Sequence, residues 1–295
     1  MSYQFLEAKF NTSLRLNSLF KKIVVNYIES CHLEDGGYFF ARIPPSSGLD
    51  TYFAVNGLSL LSAKPESPET IEGFVVNGLR KGALTGLTGA FISVAILNEL
   101  GKVTEDVEHY ALNQIANAHD RREGFEIVED IYIEVSSELE TTYRTVWLLT
   151  TIGAALDKQG VTAFTLGLLN EDGGYGRNEH STLASTFYAT GIHNLLGVNG
   201  SNRAGTRDYL RKREKKGQVQ FIEDLFWLIG SMTNLGEQTN MPEETARFVL
   251  ECQRQGGGFA RSPVIGIPTL EYTFYALSIL RRLGVAYNVD SLTKA

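Results

Sequence analysis

Glu34-Asp35-Gly36-Gly37-Tyr38 and Glu171-Asp172-Gly173-Gly174-Tyr175 are the same five residues met twice in one chain. Gly257-Gly258-Phe259 is a relative of them, and Glu123-Gly124-Phe125 a weaker one. After each comes a polar stretch, then an apolar run with helical character: Leu49 to Ala54, Leu183 to Ala189 and Leu270 to Ala276. Alignment from the trailing Leu-Gly pairs adds three degenerate copies, centred on Ala90, Thr142 and Leu225. The equivalent positions are then 51, 90, 142, 186, 225 and 273. The unit is about 40–50 residues long, which suits two helices and their connections.

The two helices of a unit differ in character. The one before the glycines is amphipathic, as in Thr245 to Gln253. The one after them is apolar nearly all round, as in Tyr52 to Leu61 and Phe274 to Leu280. A helix apolar on every side has to be covered on every side. Six half-exposed helices around six covered ones give an all-α chain, a single α6/α6 toroid spanning 21–295. A helical extension over 1–20 precedes it. The glycine pair suits a tight reversal in which φ > 0 is wanted. Cys31 and Cys252 each lie five residues before a glycine pair. They are one repeat position seen twice, and the expectation is a buried structural thiol.

Bulk properties exclude several classes. The chain has 295 residues, 43% hydrophobic and 21% charged, which is the composition of a folded protein. No apolar run is long enough for a spanning helix, and the N-terminus lacks a secretion-signal pattern. Two cysteines without a CxxC make neither a disulfide framework nor a zinc ribbon. A net charge of -7 argues against general nucleic-acid binding. The expected compartment is the cytoplasm.

Cys252-Gln253 before Gly257-Gly258-Phe259, a loop, then Tyr272-Thr273-Phe274-Tyr275-Ala276-Leu277 resembles the prenyltransferase and squalene-oxidase repeat. That repeat builds protein prenyltransferase β subunits and class II terpenoid cyclases. The resemblance covers roughly residues 20–285. It implies a toroid whose inner helices line a deep apolar cavity, and a long apolar, isoprenoid-like substrate. It also implies pairing with a helical-repeat partner subunit. In the protein prenyltransferases zinc is held by an Asp-x-Cys and a His. The matching places here are Phe221, Glu223 and Tyr272, so the expectation is no metal and no cofactor. Leu235-Gly236-Glu237-Gln238 matches the tail of a thioester motif, but no cysteine stands where the thioester needs one.

Class II cyclases carry Asp-x-Asp-Asp-Thr at an inner-helix start, and Glu138-Leu139-Glu140-Thr141-Thr142 resembles it. By that mapping Glu140 donates the proton and Glu138 tunes it. Glu223 and Glu271 occupy the position equivalent to Glu140, and Asp50 and Asp224 fall one residue later. The residues alone leave three readings open. The acids are a functional rim, in which mutual repulsion and burial keep a carboxyl protonated near neutrality. Or they are solvated first-turn acids that complement a helix dipole. Or they hold Mg²⁺ or Ca²⁺, for which no aspartate-rich motif speaks.

Arg203, Arg207, Arg211, Lys212, Arg213, Lys215 and Lys216 form a basic run. The resemblance makes Lys215 and Lys216 candidates for a substrate diphosphate, together with His180 and Arg177 in the fourth repeat's loop. The alternative is a solvated helix. Tyr143, Trp227 and Tyr272 are candidate substrate contacts among the inner-helix aromatics, whose faces can shield a carbocation. The expected function is an isoprenoid-handling enzyme with acid-initiated chemistry. The alternative is a zinc-less binding or partner module of the same build.

Overall fold

The computed structural model describes residues 18–120, 138–198, 203–215 and 219–284. Most of the expected N-terminal extension lies outside them. Among the described residues the regular structure is helical, with isolated β-bridges in the connections. The helices are α1 (Ser18–Glu29), α2 (Gly48–Leu60), α3 (Pro68–Lys81), α4 (Gly86–Leu100), α5 (Glu105–Asp120) and α6 (Glu138–Thr151). Then follow α7 (Lys158–Leu166), α8 (Leu183–Leu196), α9 (Arg203–Arg213), α10 (Ile222–Asn234), α11 (Pro242–Glu251) and α12 (Leu270–Leu283).

Odd and even helices follow the two characters seen in the sequence. In α4 every residue from Gly89 to Leu97 is buried, so no face is left for water. In α3 only Ile71 and Val75 are buried, one turn apart. In α11 the buried residues are Thr245, Ala246, Val249 and Leu250, a single stripe. Pro242 at its start and Glu243 and Glu244 in its first turn suit a helix N-terminus.

The chain forms two compact units. One takes residues 78–218 and 231–237. Within it α6 packs on both α4 and α8, with α5 against α4 and α7 against α8. The other takes residues 8–77, 219–230 and 238–295. Within it α2 packs along α12, α1 against α2 and α11 against α12. The buried helix of the first repeat therefore lies on that of the last.

The glycine loops work alike in the three intact repeats. Tyr38, Tyr175 and Phe259 are all buried. Each bridges back to the end of the preceding helix and forward to the next N-cap: His32 and Ser47, Leu169 and Thr182, Gln253 and Thr269. Each donates its backbone N–H to the threonine at the repeat's alignment point. The distances are 2.9 Å to Thr51, 3.1 Å to Thr186 and 3.0 Å to Thr273. The first glycine of each pair has φ between 88° and 99°. A Cβ there would also meet the backbone of the next amphipathic helix, at Thr70, Gly205 or Ile23. Gly36, Gly173 and Gly257 are thus required twice, by conformation and by space. Both cysteines are buried, as expected, and each donates its thiol to the carbonyl four residues back.

Candidate functional site

Helices α2, α8 and α12 begin with side-chain caps from Ser47, Thr182 and Thr269, and in α2 and α12 these fix where the first-turn acids stand. Ser47 accepts the Asp50 N–H at 3.2 Å, and the Asp50 carboxylate bonds back to Ser47. The Ser47 N–H goes instead to the Tyr38 carbonyl at 3.0 Å, so the exchange with Asp50 runs through the Ser47 hydroxyl alone. Thr269 accepts the Tyr272 N–H at 3.1 Å, which sets Glu271 in the first turn of α12. One residue after the alignment point stands an aromatic in every repeat: Tyr52, Phe91, Tyr143, Phe187, Phe226 and Phe274. All six are buried.

In the unit containing α2 and α12, five rings meet. Phe226 stacks on Tyr275 at 4.3 Å between centroids, 24° from parallel. Phe53 reaches Phe274 at 5.6 Å and Tyr275 at 5.9 Å, and Tyr52 reaches Phe274 at 6.1 Å. Asp50 lies one turn before Phe53 on α2, and Glu271 one turn before Tyr275 on α12, so each acid shares a face with its ring. Tyr275 donates its hydroxyl to Glu271 at 2.9 Å. Burial pushes the Asp50 carboxyl up to about 6, the Glu271 charge adds to this, and the Ser47 hydroxyl opposes it. Burial and the neighbouring Glu223 likewise raise Asp224, against Arg261.

Glu223 accepts from Arg261 at 2.5 Å, and that guanidinium lies 4.0 Å over the Phe221 ring. Phe221, Glu223 and Tyr272 stand where the resemblance put zinc ligands. An apolar ring, an ion-paired carboxylate and a phenol do not make a soft, closed ligand set, so these residues do not fit zinc. Among the described residues no group of three or more His, Cys, Asp or Glu could hold a metal ion.

In the unit containing α4, α6 and α8, Glu138 and Arg177 are joined. Arg177 donates from Nε at 2.7 Å and from Nη2 at 2.5 Å, a bidentate pair on exposed side chains. Two candidates 39 residues apart are therefore neighbours. Glu140 accepts from Arg144 at 2.6 Å and from the Tyr188 hydroxyl. Arg144 also donates to Thr88 at 2.9 Å. Burial, then the Glu140 charge, raises the Tyr188 phenol well above its ordinary value. Tyr143 is buried and meets Tyr188 at 5.6 Å. His180 and Lys215 are exposed, and Lys216 lies outside the described residues. Arg207 and Arg211 pair with Glu237, and Arg211 also with Glu214, so part of the basic run is held in a partly buried ion-pair network.

The model of the prenyltransferase α/α toroid domain matches residues 2–88, 76–223 and 215–294. The chain belongs to this family. Protein geranylgeranyltransferase-I of Candida albicans, solved in complex with GGPP, is similar in structure, with a TM-score of 0.65. The match covers 90% of this chain and 91% of that one at 16% identity, and so speaks for a shared toroid fold. No curated protein matches the chain in sequence. Within this family member, Arg144 and Thr88 had not been singled out from sequence. The signal was available: among the residues two after each alignment point (Phe53, Ile92, Arg144, Tyr188, Trp227 and Tyr275), Arg144 is the one cation. No helix among the described residues is long and apolar enough to cross a membrane.

Proposed function

We propose that the chain binds an isoprenoid or similarly long apolar molecule in the cavity expected of a toroid and isomerises it by acid-initiated chemistry. The observation that carries this is the half-buried Asp50 one helical turn from Phe53 and its ring contacts to Phe274 and Tyr275. A carboxyl with a value of about 6 still holds a proton in a useful fraction of molecules near neutral pH. Protonated Asp50 adds its proton to an alkene carbon, which forms a C–H bond and leaves a tertiary carbocation and a carboxylate. The rings of Phe53, Phe226 and Tyr275 turn their π-faces to that cation. Loss of a proton from carbon back to Asp50 closes the cycle, and the product is an isomer of the substrate. In this proposal the donor role first given to Glu140 passes to Asp50. Glu140, Glu138 and Arg177 belong to the other unit. Glu223, Asp224, Glu271, Tyr272 and Trp227 lie in the same unit as Asp50. His180, Lys215 and Lys216 remain candidates for a charged head group.

A zinc-less binding module is the second reading, favoured by the Arg261–Glu223 pair at the place of the zinc ligands. A helical-repeat partner subunit is part of either reading, and the mass of the native complex tests it. Chromatography with mass detection after incubation with farnesol, geranylgeranyl diphosphate and squalene separates the two, since an isomer elutes apart from its substrate. Acid catalysis predicts a product of unchanged mass. Its rate falls about tenfold per pH unit above roughly 6, because only the protonated acid acts. Asp50→Asn abolishes product and leaves the thermal midpoint at or above the parent's. Binding without product from the parent supports the module instead.

A further inference from the structure

The polar network of α4, α6 and α8 has no part in the acid step. Four side chains from three successive buried helices make it. Arg144 Nη1 donates to Thr88 Oγ1 at 2.9 Å, Arg144 Nη2 to Glu140 Oε1 at 2.6 Å, and the Tyr188 hydroxyl to Glu140. The Arg144 guanidinium lies 5.6 Å from the Phe91 ring centroid. Phe91 in turn packs edge-on against Trp147 at 5.1 Å, and both rings are buried.

The fold does not ask for an ion pair here. Positions two before and two after the alignment point face each other across one helical turn in every repeat. They read Leu49/Phe53, Thr88/Ile92, Ala184/Tyr188, Glu223/Trp227 and Glu271/Tyr275 in the other five. Only Glu140/Arg144 places a cation opposite an anion. A largely buried ion pair loses hydration that its own attraction barely returns, and apolar residues of similar volume often serve stability as well or better. Yet the pair is not sealed. Arg144 keeps 15% of its side-chain surface and Glu140 keeps 20%, against 0% for Leu148 one turn on. Both side chains reach the surface of the core.

We propose that Arg144, Glu140, Thr88 and Tyr188 form a subsite for the uncharged hydroxyl end of the ligand, so that the preferred ligand is an isoprenoid alcohol. This deepens the isoprenoid reading and rests on it. The chemistry selects a hydroxyl. A guanidinium beside a carboxylate presents donors and acceptors together, and a hydroxyl both donates and accepts. A diphosphate would meet the carboxylate's repulsion, and a hydrocarbon would leave both charges without replacement for lost water. The aromatic ring of Phe91 beside the guanidinium gives the first carbons of an apolar chain a surface to lie on.

Binding of farnesol, farnesene and farnesyl diphosphate to the full chain, followed by calorimetry, tests this. Farnesol binds about tenfold tighter than farnesene, roughly one charge-assisted hydrogen bond's worth, and tighter than the diphosphate. In Glu140→Leu/Arg144→Met the preference vanishes, while farnesene affinity stays within about twofold, because apolar residues of similar length replace the pair. If that variant does not fold, Tyr188→Phe serves. It removes one donor that orients Glu140, and the farnesol preference drops by about threefold. Equal affinity of the parent for farnesol and farnesene overturns the subsite and leaves isoprenoid binding standing. So does a preference that survives the variants, or tighter binding of the diphosphate. No binding of any of the three overturns the isoprenoid reading together with it.

Discussion

Thr51, Thr186 and Thr273 show how much one hydroxyl can organise. Each accepts the N–H of a buried aromatic from the loop behind it. Each also donates to the carbonyl of its own N-cap residue, at 2.7, 2.7 and 2.6 Å. The same oxygen thus ties loop, cap and helix. A threonine on an apolar helix reads in sequence as a space-filling or β-branched choice, and its partner lies 13 residues upstream in the first repeat. The register of the repeat was legible at these positions, but the bond was not, because it depends on how the loop folds back. Thr51→Val leaves the Tyr38 N–H buried without a partner and lowers stability by about 1–3 kcal/mol. Thr51→Ser keeps both bonds and loses one methyl group, about 1 kcal/mol or less. Chemical denaturation of the two variants distinguishes them. Equal losses would show that the methyl group, not the hydroxyl, matters there.

At the scale of the element, α8 departs from its five equivalents at one place. Seven residues after the alignment point the other buried helices carry Leu58, Leu97, Leu149, Met232 and Leu280. Helix α8 carries His193, which is buried, with Nε2 lacking a hydrogen-bond partner and its ring edge-on to Tyr175 at 6.0 Å. Burial depresses its imidazole below the ordinary value. The sign of the pH effect follows. As pH falls through about 6.5 the unfolded chain takes up a proton first, so stability declines on acidification. His193→Leu gives α8 the residue of its equivalents. It raises stability at neutral pH by about 1 kcal/mol and flattens the acid side of the stability profile. Thermal melts from pH 5 to 8 read both effects. A lower midpoint for the variant throughout that range would mean that the histidine has a partner role in the protein that leucine cannot fill.

The whole molecule is where the sequence was most and least informative. Six units, their paired helices and the covered character of every second helix are legible, because apolar periodicity and glycine spacing are local. Partners of the acids are not. Arg144 lies four residues from Glu140 and could be read off a helix face, but Arg177–Glu138 and Arg261–Glu223 span 39 and 38 residues through loops. The contact of α2 with α12 is of the same long-range kind, and it makes the last helix a condition for the first. Helix α12 buries Leu270, Phe274, Leu277, Ile279 and Leu280, and its Phe274 and Tyr275 meet rings from α2 and α10. At about 1.5–3 kcal/mol for each large apolar side chain, its removal forfeits on the order of 10 kcal/mol, comparable to the whole stability of a domain. A chain ending at Thr269 therefore loses the ordered unit that contains α2 and α10. Its two tryptophans report this separately, Trp147 in one unit and Trp227 in the other. In a Trp147→Phe background the truncated chain shows Trp227 emission shifted to the red at temperatures where the full-length chain is folded. An unshifted emission with a cooperative melt would mean that the first repeat closes on something other than the last, and the packing of α2 on α12 would have to be abandoned.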